Sequence, residues 1–207
     1  MNEASDVANN APAIILFCLW WAFLWALDIL ATPDAARKSK HTAAKFPKGR
    51  APTVAEESSL ARLCELDPKF SAESFLRGAR RAYEVVLHAY AIDDSKTLRP
   101  LLSTEVLAAF AVACSERIER QATLELSFIG IDSAKIVNAA TSADSMEVTV
   151  LFRALIVSAE RSAAGDVISG DPTAVTATAD LWTFSRSLSA GRGGWVLIAT
   201  DEGSQLE

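Results

Sequence analysis

Cysteine and histidine are scarce in this chain of 207 residues, which has three cysteines, Cys18, Cys64 and Cys114, and two histidines, His41 and His88. The cysteines are odd in number and widely spaced, with no Cys-x-x-Cys pair, so the usual signs of a disulfide framework, a zinc site or a dithiol centre are missing. Neither histidine has a second good ligand near it in sequence. Reduced structural thiols are therefore expected, with no metal and no other cofactor. The folded part also lacks a basic balance. Residues 54–207 carry 14 Lys and Arg against 22 Asp and Glu, the wrong sign for a phosphate backbone, which argues against nucleic acid as the main partner. No internal repeat is visible, and the length fits one ordinary domain after an N-terminal extension.

Charge is almost absent from Ala13 to Ala31, where Asp28 is the only charged residue. Nineteen helical residues at about 1.5 Å each reach about 28 Å, close to the hydrocarbon thickness of a bilayer. Ten of the nineteen are Leu, Ile or Phe, enough to outweigh one off-centre Asp. A secretory signal would need bases before the apolar run, whereas the chain begins Met1-Asn2-Glu3-Ala4-Ser5-Asp6 with two acids and none. The expectation is a short tail at residues 1–12 and an uncleaved transmembrane helix at 13–31. Trp21, Trp25 and Asp28 share one face of that helix, which serves either as a seam for another membrane protein or as lipid-facing tryptophans with Asp28 reaching the interface.

Bases are concentrated in the next segment. Residues 32–53 carry six bases against one acid, together with Pro33, Pro47, Gly49 and Pro52, and show no apolar period. They read as an extended basic tether. Arg37, Lys38, Lys40, Lys45, Lys48 and Arg50 follow the membrane helix, and the positive-inside bias then places the domain in the cytoplasm at a bacterial inner membrane, or in the matrix at a mitochondrial one. The same six side chains stand where anionic lipid headgroups lie, so topology and lipid contact are both open to them.

Residues 54–207 form the domain. A short helix is expected from Val54 to Leu66 with Leu60, Leu63 and Cys64 inward, ended by Asp67-Pro68. A longer helix follows from Ser71 to Ile92, with Phe75, Ala79, Ala82, Tyr83, Val86 and Tyr90 at helical spacing and Arg77, Arg81, Glu84 and His88 on the opposite face. Asp94 caps a turn carrying Leu98 and Leu101, and Ser103-Thr104-Glu105 opens a helix to Arg120 with Val106, Phe110, Ala113 and Ile118 inward. After residue 122 the pattern changes. Residues 124–139, 146–160, 173–188 and 194–200 are rich in Val, Ile, Thr, Phe and Trp and are separated by turn residues, which predicts an antiparallel four-strand meander. Helices first and strands afterwards give an α+β domain, with helices on one face of a curved four-stranded sheet and the other face partly open.

Several runs carry a resemblance beyond fold class. Phe75-Leu76-x-Gly78-Ala79 stands in the long helix and Lys96-Thr97-Leu98-x-Pro100-Leu101-Leu102-Ser103 before the next. Gly165-x-Val167-Ile168-x-Gly170-Asp171-Pro172 precedes the third expected strand, Asp180-x-Trp182-Thr183-Phe184-x-Arg186 lies within it, and Trp195-x-Leu197-x-Ala199-Thr200 closes the sheet. Together, over about residues 71–202, they resemble the domain shared by subunit forty-four of the mitochondrial inner-membrane translocase and its membrane-anchored alphaproteobacterial relatives. The resemblance implies a cone-shaped fold similar to nuclear transport factor two, a hydrophobic groove, membrane association and an adaptor role in preprotein translocation or membrane-complex assembly. Its partners would be the bilayer and other membrane or translocating proteins. The long N-terminal region through which the mitochondrial subunit engages its motor has no counterpart here. Arg192-Gly193-Gly194-Trp195 also departs from the Asp-Pro-Asn-Trp-like turn usual in the bacterial relatives.

Alternation along the third strand puts Asp180, Trp182, Phe184 and Arg186 on one face, and Arg153 on the preceding strand is expected to pair with Asp180. Read as an open surface, these five residues form the wall of an amphipathic groove for a lipid chain or peptide; read as core, the aromatics pack beneath the helices. An enzyme on the same fold would need an acid/base pair. Tyr83 and Tyr90 point inward, but His88 points outward and Asp93 ends a helix, so the sequence offers no such pair and no enzymatic activity is expected. A structural component of a secretion machine is the remaining alternative, and it would place the domain on the other side of the membrane.

Overall fold

The computed structural model describes residues 61, 63–65, 67–141, 145–188 and 194–203. The expected tail, membrane helix and tether, with Asp28 and the six tether bases, lie outside the described residues. No helix among the described residues is long and apolar enough to cross a membrane.

Helices come first and strands afterwards, as the patterning requires. The long helix α1 spans Ala72–Ala91, α2 is the single turn Ser95–Leu98, and α3 spans Thr104–Glu119. Each starts on a local cap. The Ser71 side chain accepts from the Ser74 backbone N–H, Asp94 from Thr97, and Ser103 from Val106, so each cap satisfies a donor the first turn leaves free. α1 buries Phe75, Ala79, Tyr83, Val86 and Ala89 along one stripe. α3 buries Val106, Phe110 and Arg117. Ile118, expected inward, is 62% exposed. The inward position one residue earlier belongs to Arg117, whose guanidinium reaches the Tyr90 carbonyl at 2.9 Å, pairs with Asp93 and lies 5.0 Å from the Tyr90 ring centroid. Three partners at once offset the burial of that charge.

Before α1, Ala61 and Leu63–Glu65 are helical. Leu63 is fully buried, but Cys64, expected beside it in the core, is exposed. A helix of this kind offers one narrow inward stripe, and Leu63 takes it.

Four antiparallel strands follow, β1 Thr123–Thr141, β2 Ser145–Arg161, β3 Val167–Ser187 and β4 Val196–Glu202, in the sheet order β1-β2-β3-β4. This is the expected meander, with one correction. β3 begins at Val167, so Gly170-Asp171-Pro172 lies inside the strand rather than before it. A bulge makes this possible, because Ile156 pairs with Thr176 while Ser158 pairs with Asp171, leaving 172–175 as extra residues opposite Val157. Pro172 sits where no ladder bond is required of it. Gly170 holds φ +70, and a Cβ there would stand 2.3 Å from the Ser158 carbonyl oxygen, so the close approach of β2 and β3 depends on glycine.

The helices lie on one face of the sheet. That face of β2 presents Met146, Val148, Val150, Phe152, Ala154 and Ile156 at every second position, all buried. β2 is central and sequesters its inward residues along its whole length. The C-terminal half of β3, flanked by β4, does the same.

Candidate functional site

The helix-covered face of β3 contains four of the five expected binding residues. In register, Phe152 faces Asp180, Val150 faces Trp182, Val148 faces Phe184 and Met146 faces Arg186, so the face assignment by alternation is correct. Of the two readings of that face, the core one holds for its aromatics. Trp182 and Phe184 are each 3% exposed, because α1 lies across them. The Tyr83 ring stands 4.6 Å from Trp182 and 4.7 Å from Phe152, and Phe75 meets Phe184 edge-on at 5.8 Å. These tilted and edge-on contacts form an aromatic core with no room for a chain between the rings.

Arg153 corrects a second expectation. It stands opposite Ala179, on the other face of the sheet from Asp180, so the two do not pair. A one-residue offset in a strand reverses the face. Asp180 turns instead to α1. The Tyr83 hydroxyl donates to it at 2.6 Å, and the Thr178 hydroxyl lies 3.3 Å from the Tyr83 oxygen. Burial is the main cause that raises the Asp180 carboxyl above its usual range, with hydrogen bonds from Tyr83 and Thr178 pulling against it and Glu202 adding to the rise. Burial likewise raises the Tyr83 hydroxyl, and the neighbouring Asp180 charge reinforces it. Sequence reasoning missed this pair. Its only sequence signals were an inward Tyr on α1 and an inward Asp on the aromatic strand.

At the other end of the same face, Arg186 pairs with Asp67, and its guanidinium lies 4.9 Å from the Trp195 ring centroid. The bond to Arg186 is the largest cause holding the Asp67 carboxyl below its ordinary range. Phe70 completes the arrangement, 5.8 Å from Phe75 and 6.2 Å from Trp195. The segment that enters α1 is thereby strapped to the end of the sheet by one ion pair and three rings.

The remaining sequence candidates separate cleanly. His88 is exposed on α1, as expected, and lines an open cleft of about 460 Å³ between α1 and α2 together with Arg81, Glu84, Ile92 and Thr97. Cys114 is half-buried, and burial pushes its thiol up to about 12, which suits an inert structural cysteine. Asp93 holds a left-handed φ of 57 at the end of α1 and is committed to Arg117.

Nothing among curated proteins matches this chain. Among solved structures, the crystal structure of the intermembrane space region of the chloroplast protein ARC6 is similar, with 10% identity and a TM-score of 0.46 over 65% of this chain and 98% of that one. The family model of the Tim44-like domain matches residues 56–202, which is most of the chain and nearly all of the α+β domain, and the chain accordingly belongs to the Tim44-like domain family.

Proposed function

We propose that this chain is a membrane-anchored adaptor that holds partner proteins beside a bilayer during protein translocation or membrane-complex assembly. The observation that carries this reading is the family match over residues 56–202, in a family linked to translocation and membrane-associated complexes. Support for the anchor comes from the apolar run at 13–31, and support for a domain in the cytoplasm or matrix comes from the six bases that follow it. Support for lipid contact comes from the same bases.

Adaptor rather than enzyme is favoured by the packing around the Tyr83–Asp180 pair. Tyr83 is 2% exposed and ringed by Phe152 and Trp182, so a substrate has no room beside its hydroxyl. The part of the expected groove that solvent still reaches is its Arg186 end, with Arg153 on the other face of the sheet. Partner binding through this region is accordingly proposed for the rim of the sheet and not for the buried aromatics.

Crosslinking in native membranes, from photoreactive residues placed on the rim and on the helices, tests the adaptor reading by identifying what is captured. Reproducible capture of translocation or assembly components supports it, and a domain that captures no protein from any surface position overturns it. Protease applied outside spheroplasts tests orientation. Sparing of residues 54–207 is expected; digestion of the domain from outside would instead fit the secretion-machine component with a domain across the membrane.

A further inference from the structure

α3 differs from α1 on the side it turns away from the core. The outer side of α1 is charged, whereas the ten residues of α3 from Val106 to Ser115 carry no charge. Val106 and Phe110 of that run are buried. Ala108, Ala111, Val112 and Ser115 are exposed, Val112 at 57%, and Ile118 beyond them is 62% exposed. A helix that is apolar on both sides is one that packs on both sides, and no described residue covers the outer side of this one. Acids frame the uncharged patch. The row Glu105, Ala108, Val112, Ser115, Glu119 follows the three- and four-residue spacing of one helical face, with Glu116 beside its far end. None of the three glutamates makes an ion pair with a described residue. The bases of the same region do not offset them, because Arg117 is buried against Asp93 and Tyr90, and Arg120 bonds Glu160 at 3.2 Å.

We infer that the outer face of α3 is the docking surface of this chain's own basic segment, residues 32–53. Charge selects the occupant. A second copy of the chain would bring three more carboxylates against the first three, and an anionic surface of any kind would be repelled by the same acids. Residues 32–53 have the complementary sign, with six bases against one acid. Lys45, Lys48 and Arg50 stand close together there, and Phe46 between them is the one large apolar side chain the segment can lay on the uncharged patch. Position points the same way. The Phe70 ring, at the entrance to α1, lies 6.2 Å from the Trp195 ring, and two residues after Trp195 the Leu197 carbonyl accepts at 2.8 Å from the N–H of Ser103, the cap of α3. The chain therefore enters the domain beside the N-terminal end of α3. Residues 32–53 reach about 70 Å when extended, against about 24 Å for the length of α3, so they can lie along the whole face. Linkage in one chain supplies an effective concentration of about a millimolar, which populates a contact too weak to form between separate molecules. This contact goes beyond the adaptor reading and needs neither a membrane anchor nor a particular compartment.

The test is photocrosslinking of the full chain in an uncharged detergent, with benzoylphenylalanine at Ser115 on the outer face of α3 or, as a control, at Ala163, an exposed residue in the turn between β2 and β3. Nitrogen-15-labelled and unlabelled chains are mixed in equal amounts, and crosslinked peptides are mapped by mass spectrometry. Crosslinks from Ser115 to residues 32–53 are expected to be several-fold more frequent than from Ala163 and to join peptides of like isotope only. Combined Glu105→Gln, Glu116→Gln and Glu119→Gln should lower them several-fold, as should salt at about 1 M, where charges are screened within about 3 Å. Exchange of the signs, by Glu105→Lys, Glu116→Lys and Glu119→Lys together with Lys45→Glu, Lys48→Glu and Arg50→Glu, should restore the crosslinks to residues 43–50. If the exchanged chain does not melt cooperatively, the Gln variant and the salt series decide. No excess over Ala163, no response to the Gln changes, or crosslinks joining peptides of unlike isotope, which would make a second copy the occupant, would each overturn the inference.

Discussion

Along β3, the residues from Val167 to Ala177 are mostly exposed, whereas Trp182 and Phe184 of the same strand are buried. Both halves contain large apolar side chains, Ile168 and Val175 in the first and the two aromatics in the second, so composition does not separate them. What separates them is the neighbour. The second half is flanked by β4 over Asp180–Ser185 and covered by α1, while the first half has β2 on one side and no strand of the described sheet on the other. Burial along a strand is thus decided by what lies beside and above it, and the strand's own alternation only decides which side chains move together.

The comparison is broken most severely at its buried end. Trp182→Ala should cost about 3 to 5 kcal/mol, because it empties a site bounded by Tyr83, Phe152 and Phe184 that the sheet cannot collapse to fill. Chemical denaturation of the soluble domain checks this value. A loss under about 1 kcal/mol would mean the site behaves as surface.

Gly170→Ala probes the exposed half where it is most constrained. The positive φ and the contact with the Ser158 carbonyl predict a loss of about 1 to 3 kcal/mol despite solvent exposure. The same denaturation curve measures it, and a neutral result would show that the bulge relaxes freely.

The boundary between the halves carries the Tyr83–Asp180 pair, and there pH is the lever. Because the folded carboxyl titrates above its usual value of 3.8, its contribution is complete below that value and is lost as pH rises through the folded pKa. Asp67 runs the other way: its lowered pKa gives stability that is present above 3.8 and lost as pH falls through the folded pKa. Asp180→Asn, which keeps an acceptor for Tyr83, should therefore remove the decline in melting temperature on the alkaline side and gain most at neutral pH. Asp67→Asn should remove the decline on the acid side. Parallel melting curves across pH for wild type and both variants would show the two signs, and identical slopes would contradict them.

The smallest effect is expected at the exposed end. Ile168→Ser should lie within about 0.5 kcal/mol of wild type, since a side chain that is already largely hydrated loses little on replacement. A larger loss would mean that this half is covered in solution.

Local features were legible without coordinates. The helix start at Ser71, the caps at Asp94 and Ser103, the inward stripe of α1, the change from helical to strand period after residue 122 and the shared face of Asp180, Trp182, Phe184 and Arg186 all follow from spacing and side-chain chemistry within a few residues, where backbone geometry leaves little choice. Only the tertiary structure decided whether that shared face is open, because covering it depends on where α1 lands. It also decided the partners of the charges. Tyr83 and Asp180 are 97 residues apart, and Asp67 and Arg186 are 119 apart, so their pairing depends on helix placement and strand register together. A single-residue difference in register put Arg153 on the opposite face, and a single position on α3 gave the inward site to Arg117 instead of Ile118. Sequence fixes which side chains move as a set, because that is set by local backbone period; only packing between distant elements determines what each set meets.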